Sequence, residues 1–337
     1  MTTQRNAGWR RFGTAAAAVL FAAWSGASIA AEAGAGSGGY PKRPVRFIVA
    51  QSAGGNADFV ARMVAGELTK QLGQQFLVDN RGGGGGGVLA AELVARAPAD
   101  GYTMLLVGSS FGVNPSLYKK LPYDSERDLA PITLASTATQ ILVVNPSLPV
   151  NTVQDLIKLA QAKPGELNFG SSGNGGGPHL AGELFNLMGK TRMTHIPYKG
   201  ASGSILDLLS GRIQVVFATM PSVMSHLRAN KLRSVAVTSL ERSALVPEVP
   251  TISESGLKGF QSGTWQGIFV PRGTPEPVIR LLNREIVAIV KLPDIRKRFE
   301  LEGGVPVGNS PQEFAVWLKA EIAKWAKVVK SANITLE

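Results

Sequence analysis

Apolar and polar positions alternate along this chain in a pattern that predicts short buried strands feeding amphipathic helices. In RFIVAQSAGGNAD (46–58), Phe47, Ile48 and Val49 form an apolar run of the length a buried strand uses. Ala53, Gly54 and Gly55 follow as a turn with almost no side chain to obstruct a ligand. Asn56 then stands as a helix N-cap, with Asp58 in the first turn and Val60, Val64, Leu68 and Leu72 at helical spacing behind it. The same arrangement returns at LNFGSSGNGGGPH (167–179), where a short strand leads through a Ser/Gly/Asn turn to Pro178 near the start of a helix. Further strands are predicted over 75–78, 102–107, 141–144, 213–217 and 232–238, with a strand and turn over 195–200. Helices are predicted over 88–96, 204–210 and 222–229, after Thr152 with Asp155 as a partial capping box, after Pro275, and after the Ser310–Glu313 box. Strands and helices in alternation predict an α/β protein with mainly parallel sheets flanked by helices. Two like units about 120 residues apart predict two halves facing each other across a cleft. The first crossing between halves is placed within 129–144 and the return within 247–256.

The first residues depart from this pattern. Arg5, Arg10 and Arg11 precede an alanine-rich apolar stretch over 13–24, and Ser28-Ile29-Ala30 fits a small-x-small cleavage site. Residues 1–30 therefore read as a secretory signal peptide, too short in its apolar run to span a membrane comfortably. The Ala/Gly/Ser-rich residues 31–40 read as a disordered linker. Cleavage after Ala30 lowers the net charge from +11 to +8. The remaining basic residues are scattered, with Arg296-Lys297-Arg298 the densest spot, so no nucleic-acid surface is predicted. A mild positive field favours anionic ligands. The chain has no cysteine, which excludes disulfides, thiolate metal sites and a Cys nucleophile.

Three motifs compete for chemistry. Gly108-Ser109-Ser110-Phe111-Gly112 matches the G-x-S-x-G nucleophile elbow and follows a strand, which makes a secreted serine hydrolase using Ser110 the rival reading. Against it, no oxyanion motif precedes it, and Asn114-Pro115 is expected to interrupt the helix an elbow needs. The six glycines 82–87 lack the acidic partner of a dinucleotide site and read as a flexible turn. Gly189-Lys190-Thr191 ends a predicted helix where a phosphate loop would open one. His179, His195 and His226 are dispersed, so no metal and no cofactor are predicted. What remains is a ring of small polar loops at strand ends, the place where open α/β sheets bind ligands. It comprises Gln51, Ala53, Gly54, Gly55, Asn56 and Asp58, then Ser109 and Ser110, then Ser171, Ser172, Gly173, Asn174 and His179. Hydroxyls and amide N–H groups at helix starts suit a carboxylate. Asp58 is expected to hold its loop or face an amine.

YPKRPVRFIV, AGGNAD, VDNRGGGGGG, APADGYTMLL, NPSLYKKLPYD, KPGELNFGSSGNGGGPHLAGELF, HIPYKG, KLRSVAVTSLERS, TWQGIFVP and EIAKWAKVVK, in this order, resemble the Bug family over residues 40–337. These are periplasmic solute-binding receptors of the tripartite tricarboxylate transporter type. The resemblance implies a two-domain Venus-flytrap protein, monomeric and located in the periplasm. Its lobes would be 41–138 with 258–337, and 139–257. It implies a small carboxylate ligand (a di- or tricarboxylate, an acidic amino acid or an aromatic acid) and a membrane permease as partner. Capture would use the loops 51–58 and 171–174, with Tyr198 helping to select the ligand's far end. Ala218-Thr219 stand where many members carry an acid or amide, which leaves the ligand's identity open, as it leaves open a role in sensing rather than transport.

Overall fold

In this computed structural model the described residues are 39–53, 56–82, 85–198, 200–301 and 303–334. The predicted signal peptide, most of the linker, and Gly54 and Gly55 lie outside them. The first strand β1 (Val45–Val49) leads to helix α1 (Asn56–Leu72), then β2 (Phe76–Asn80), α2 (Val88–Ala95), β3 (Thr103–Val107), α3 (Ser110–Leu117) and β4 (Leu129–Ala138). One residue later β5 (Gln140–Val144) begins a second group: α4 (Val153–Ala162), β6 (Asn168–Ser171), α5 (Gly177–Gly189), β7 (Thr194–Pro197), α6 (Ala201–Leu209), β8 (Val215–Thr219), α7 (Met220–Arg228) and β9 (Arg233–Val237). The chain then returns through β10 (Thr264–Pro271), α8 (Glu276–Val290), α9 (Pro293–Leu301), β11 (Gly304–Pro306) and α10 (Pro311–Ser331).

These strands form two sheets, ordered β11-β4-β10-β3-β1-β2 and β7-β6-β8-β5-β9. Each sheet is mixed rather than mainly parallel. β1 pairs in parallel with β2 and β3, and β6 with β7 and β8, but β10, β4 and β11 run antiparallel to their neighbours, as do β5 and β9 to theirs. Of these antiparallel strands, β4, β5 and β10 border the crossings between the sheets.

Side-chain alternation divides the core into layers. Val45, Phe47 and Val49 join α1 and α8 on one face of the first sheet, while Ile48 and Ala50 join α2, Phe111 of α3 and Phe314 of α10 on the other. In the second sheet, Phe169, Val215 and Phe217 pack under α4 and α5, and Ile141, Val143 and Val216 pack under α6 and α7. The closing helix spans both bodies: Phe314 and Leu318 enter the first core, and Trp325, Val328 and Val329 enter the second. Its Ser310–Glu313 capping box and that of α4 at Thr152–Asp155 are both complete.

Three features differ from the sequence reading. Tyr40, placed at the end of the disordered linker, is buried; its hydroxyl donates to Gly101 O at 2.6 Å and its ring meets Tyr102 edge-on at 5.1 Å. The return crossing falls later than 247–256, because Ile252, Leu257 and Phe260 still fill the second core. Helix α3 runs through Pro115 instead of stopping before it. Burial of Phe111, Val113 and Leu117 outweighs the one backbone bond that proline removes. Asn114 adds a tie from its side-chain amide to Gly86 O at 3.1 Å.

Candidate functional site

The loop after β1 sits at the end of two parallel strands. Asn80 Nδ2 donates to Gln51 O at 3.2 Å and fixes the turn from the neighbouring strand. Gly82 lies so close that a Cβ there would stand 2.5 Å from Ser52 N, which gives one of the six glycines a packing role. Ser52 and Ala53 are exposed, and Gln51 and Asn56 are half-buried. Asp58 is buried, and Arg62 Nε, one helical turn on, lies 2.9 Å from one carboxylate oxygen and 3.0 Å from the other. The pair neutralises Asp58 and braces the first turn of α1.

The loop after β3 divides its two serines. Ser109 is buried and accepts from Trp265 N at 3.1 Å while its hydroxyl faces Gly263 O at 3.4 Å. That hydroxyl ties the loop to the return crossing. Ser110 opens α3 and is half-buried. The histidine side-chain hydrogen bonds found among the described residues go to Ser171 and to Gly175 N, not to Ser110.

The second loop is exposed at Ser172 and Asn174 and locked beneath. Ser171 Oγ donates to Gly173 O at 3.0 Å, accepts from Gly173 N at 3.2 Å, and lies 2.7 Å from His195 Nε2. His179, expected to face the ligand, is buried instead, and its Nδ1 accepts from Gly175 N at 3.0 Å. The His179 and His195 rings stack at 3.7 Å over Phe169. Both histidines therefore support the loop from below. Tyr198 is likewise engaged within the protein. Its hydroxyl donates to Asp207 Oδ2 at 2.8 Å, and burial with that bond pushes its pKa up to about 12.

Both halves meet one short segment, 263–265. Ser109 holds it from the first sheet, and the start of α5 approaches from the second: a Cβ on Gly177 would stand 3.1 Å from Thr264 Cγ2 and 3.0 Å from Gln140 Nε2. The loop after β6 also reaches α3, since a Cβ on Gly175 would meet Leu117 Cδ1 at 2.8 Å. The arrangement is a pair of small polar loops, each opening a helix whose first N–H groups have no partner within it. Among the described residues no group of three metal-ligating side chains converges, and no helix is long and apolar enough to cross a membrane.

A model of the tripartite tricarboxylate transporter family receptor matches residues 60–334. The chain belongs to that family. It is 36% identical to Protein BugT of Bordetella pertussis over 300 residues, 88% of this chain and 92% of BugT. Among solved structures it is similar to R. palustris Rpa4515 with adipate, at 36% identity and a TM-score of 0.76, covering 88% of this chain and 100% of that one. MatC from Rhodopseudomonas palustris, with bound malate, matches at 31% identity and a TM-score of 0.72, covering 86% and 100%. The family comprises periplasmic solute-binding proteins, not enzymes.

Sequence reading of this receptor missed the buried carboxamides near the segment 263–265. Gln140 and Gln266 are 0% and 3% exposed, and among the described residues Gln140 Nε2 and Oε1 and Gln266 Oε1 have no hydrogen-bond partner. The signal was present as a glutamine inside an otherwise apolar run, in TWQGIFV and QILVV.

The histidine stack gives the receptor a defined acid response. Burial, and then neighbouring His179, lower the pKa of His195 from 6.5 to about 3. The unfolded chain takes up this proton near pH 6.5 and the folded chain does not. Stability from this group is complete above about pH 6.5 and declines as pH falls towards 3. Glu183 lies beside the pair, with its carboxylate 3.7 Å from His179 Nε2. Urea unfolding at pH 7.5 and 4.5 is expected to differ by about 1–3 kcal/mol through this site. His195→Leu should remove that part of the pH dependence, and an unchanged dependence would contradict the assignment.

Proposed function

We propose that this receptor captures a small carboxylate between the loops 51–58 and 171–174 in the periplasm and delivers it to a permease of the tripartite tricarboxylate type. What supports the reading is the segment 263–265, met by Ser109 at the start of α3 and by Gly177 at the start of α5, with Gly108 beside both Gln51 Nε2 and Trp265 O. Backbone N–H groups there, with Ser172 and Asn174 exposed, suit carboxylate oxygens. The adipate and malate held by the two similar structures support a dicarboxylate as the ligand class. In this reading 41–138 with 264–337 make one lobe and 140–261 the other, acting as a monomer. The two crossings near Ala138–Gln140 and Ser262–Thr264 are the hinge about which the lobes close over the ligand.

The test is a thermal-shift series with adipate and malate, run beside an assay of p-nitrophenyl ester hydrolysis. A carboxylate-dependent rise in Tm with no ester turnover is expected. Ester turnover abolished by Ser110→Ala would favour the hydrolase reading instead.

A further inference from the structure

The loop after β6 holds the only asparagine of the sequence that is followed by a glycine, Asn174 before Gly175. Asn174 is exposed, and its neighbours Gly173 and Gly175 have φ of 141° and 71°. Gly175 is kept as glycine by that φ and by Leu117 Cδ1, which a Cβ would meet at 2.8 Å. Asparagine is among the thermolabile residues, and a following glycine leaves its own nitrogen open to approach. The reaction is intramolecular. Gly175 N bonds to Asn174 Cγ, the side-chain nitrogen leaves as ammonia with the proton from Gly175 N, and a cyclic imide forms. Water then opens the imide to aspartate or isoaspartate. Attack needs Gly175 N released from its proton and turned towards Cγ. In the folded chain that N–H is committed elsewhere, donating to Nδ1 of buried His179 at 3.0 Å. The His179 ring is itself fixed by its stack on His195 at 3.7 Å. The other hydrogen bonds of the loop run through Ser171 and Gly173, and among the described residues none holds the Asn174 amide.

We propose that Asn174 is a self-modification site whose deamidation shuts off carboxylate capture, and that His179 is the positioning residue that holds the reaction back. The effect on capture rests on the reading above, whereas the chemistry at Asn174 does not. Aspartate has nearly the shape of the asparagine it replaces, so the change is one of charge. The new carboxylate lies in the loop that opens α5 (Gly177–Gly189), where free N–H groups favour an anion. It competes for those donors and repels an incoming carboxylate.

The experiment follows deamidation at Asn174 by peptide mass spectrometry during incubation of the mature chain in warm, mildly alkaline buffer. Wild type, His179→Leu and His179→Asn are compared, with wild type unfolded in urea as a reference that needs no variant to fold. His179→Asn restores an acceptor oxygen near the position of Nδ1 without the imidazole. His179→Leu and the unfolded chain are expected to deamidate severalfold faster than folded wild type, and His179→Asn at close to the wild-type rate. Calorimetric titration of Asn174→Asp is expected to show about a tenfold loss of adipate affinity, shrinking as salt is added. An Asn174 that stays intact throughout, or a folded wild type that reacts as fast as the unfolded chain and His179→Leu, would overturn the site. An unchanged adipate affinity in Asn174→Asp would overturn its effect on capture. A wild type that binds neither adipate nor malate would instead fail the capture reading, and the rate comparison would still decide the site.

Discussion

Phe169→Ala is expected to destabilise the receptor by about 3–5 kcal/mol, the usual cost of emptying a large aromatic site in a core. Phe169 is fully buried in the second core, meets Phe217 edge-on, and carries the His179–His195 stack on its other side. The stack in turn carries the loop 171–174 through Ser171 and Gly175. Removing the ring therefore acts at two levels: urea unfolding should register the lost packing, and adipate affinity should fall because the loop loses its support. Gly182 is the counterpart of this ring, since a Cβ there would stand 2.2 Å from Phe169 Cε2. Gly182→Ala alone should cost about 1–3 kcal/mol by overpacking. In a Phe169→Leu background the same change should cost less, and additive costs would show that the two sites do not press on each other.

Gly263→Ala is the second large effect. A Cβ at this position would stand 2.6 Å from the backbone oxygen of Ala138, and a main-chain oxygen cannot swing aside as a side chain can. The two crossing segments touch here with nothing between them. Separating them should cost about 1–3 kcal/mol and displace the seat shared by Ser109 and the start of α5. Thermal unfolding would measure the first effect and adipate titration the second. A variant with unaltered stability and affinity would mean that the crossing yields freely and is no hinge.

Much of the α/β alternation was legible because most strands are short apolar runs, and α4 and α10 open on capping boxes visible in the sequence. The boundaries of β5, β9 and α10 follow from Ile141–Val144, from Leu232–Thr238 and from the Ser310 box respectively. The direction of the strands was not legible. Local patterning reports burial, whereas β10 and β4 become antiparallel neighbours through contacts distant in sequence. Helix α3 was missed for a related reason: Pro115 is a local penalty, and the burial that overrides it comes from α10 and both cores. In the candidate site, polar residue type found the loops but not the roles. Ser109 and His179 have the chemistry of ligand contacts, yet their hydrogen bonds go to the main chain. Gln140 and Gln266 were hidden inside strands, where an apolar pattern absorbs a single polar residue.

Carboxylate capture between two loops is most directly measured by binding. Native mass spectrometry of the mature protein should reveal a co-purified small acid, or a titration with adipate and malate should raise Tm. At a ligand concentration about 100 times Kd, the added stability should be about 2.7 kcal/mol. A chain that carries no small acid, and whose Tm is moved by none of a panel of mono-, di- and tricarboxylates, would contradict the account.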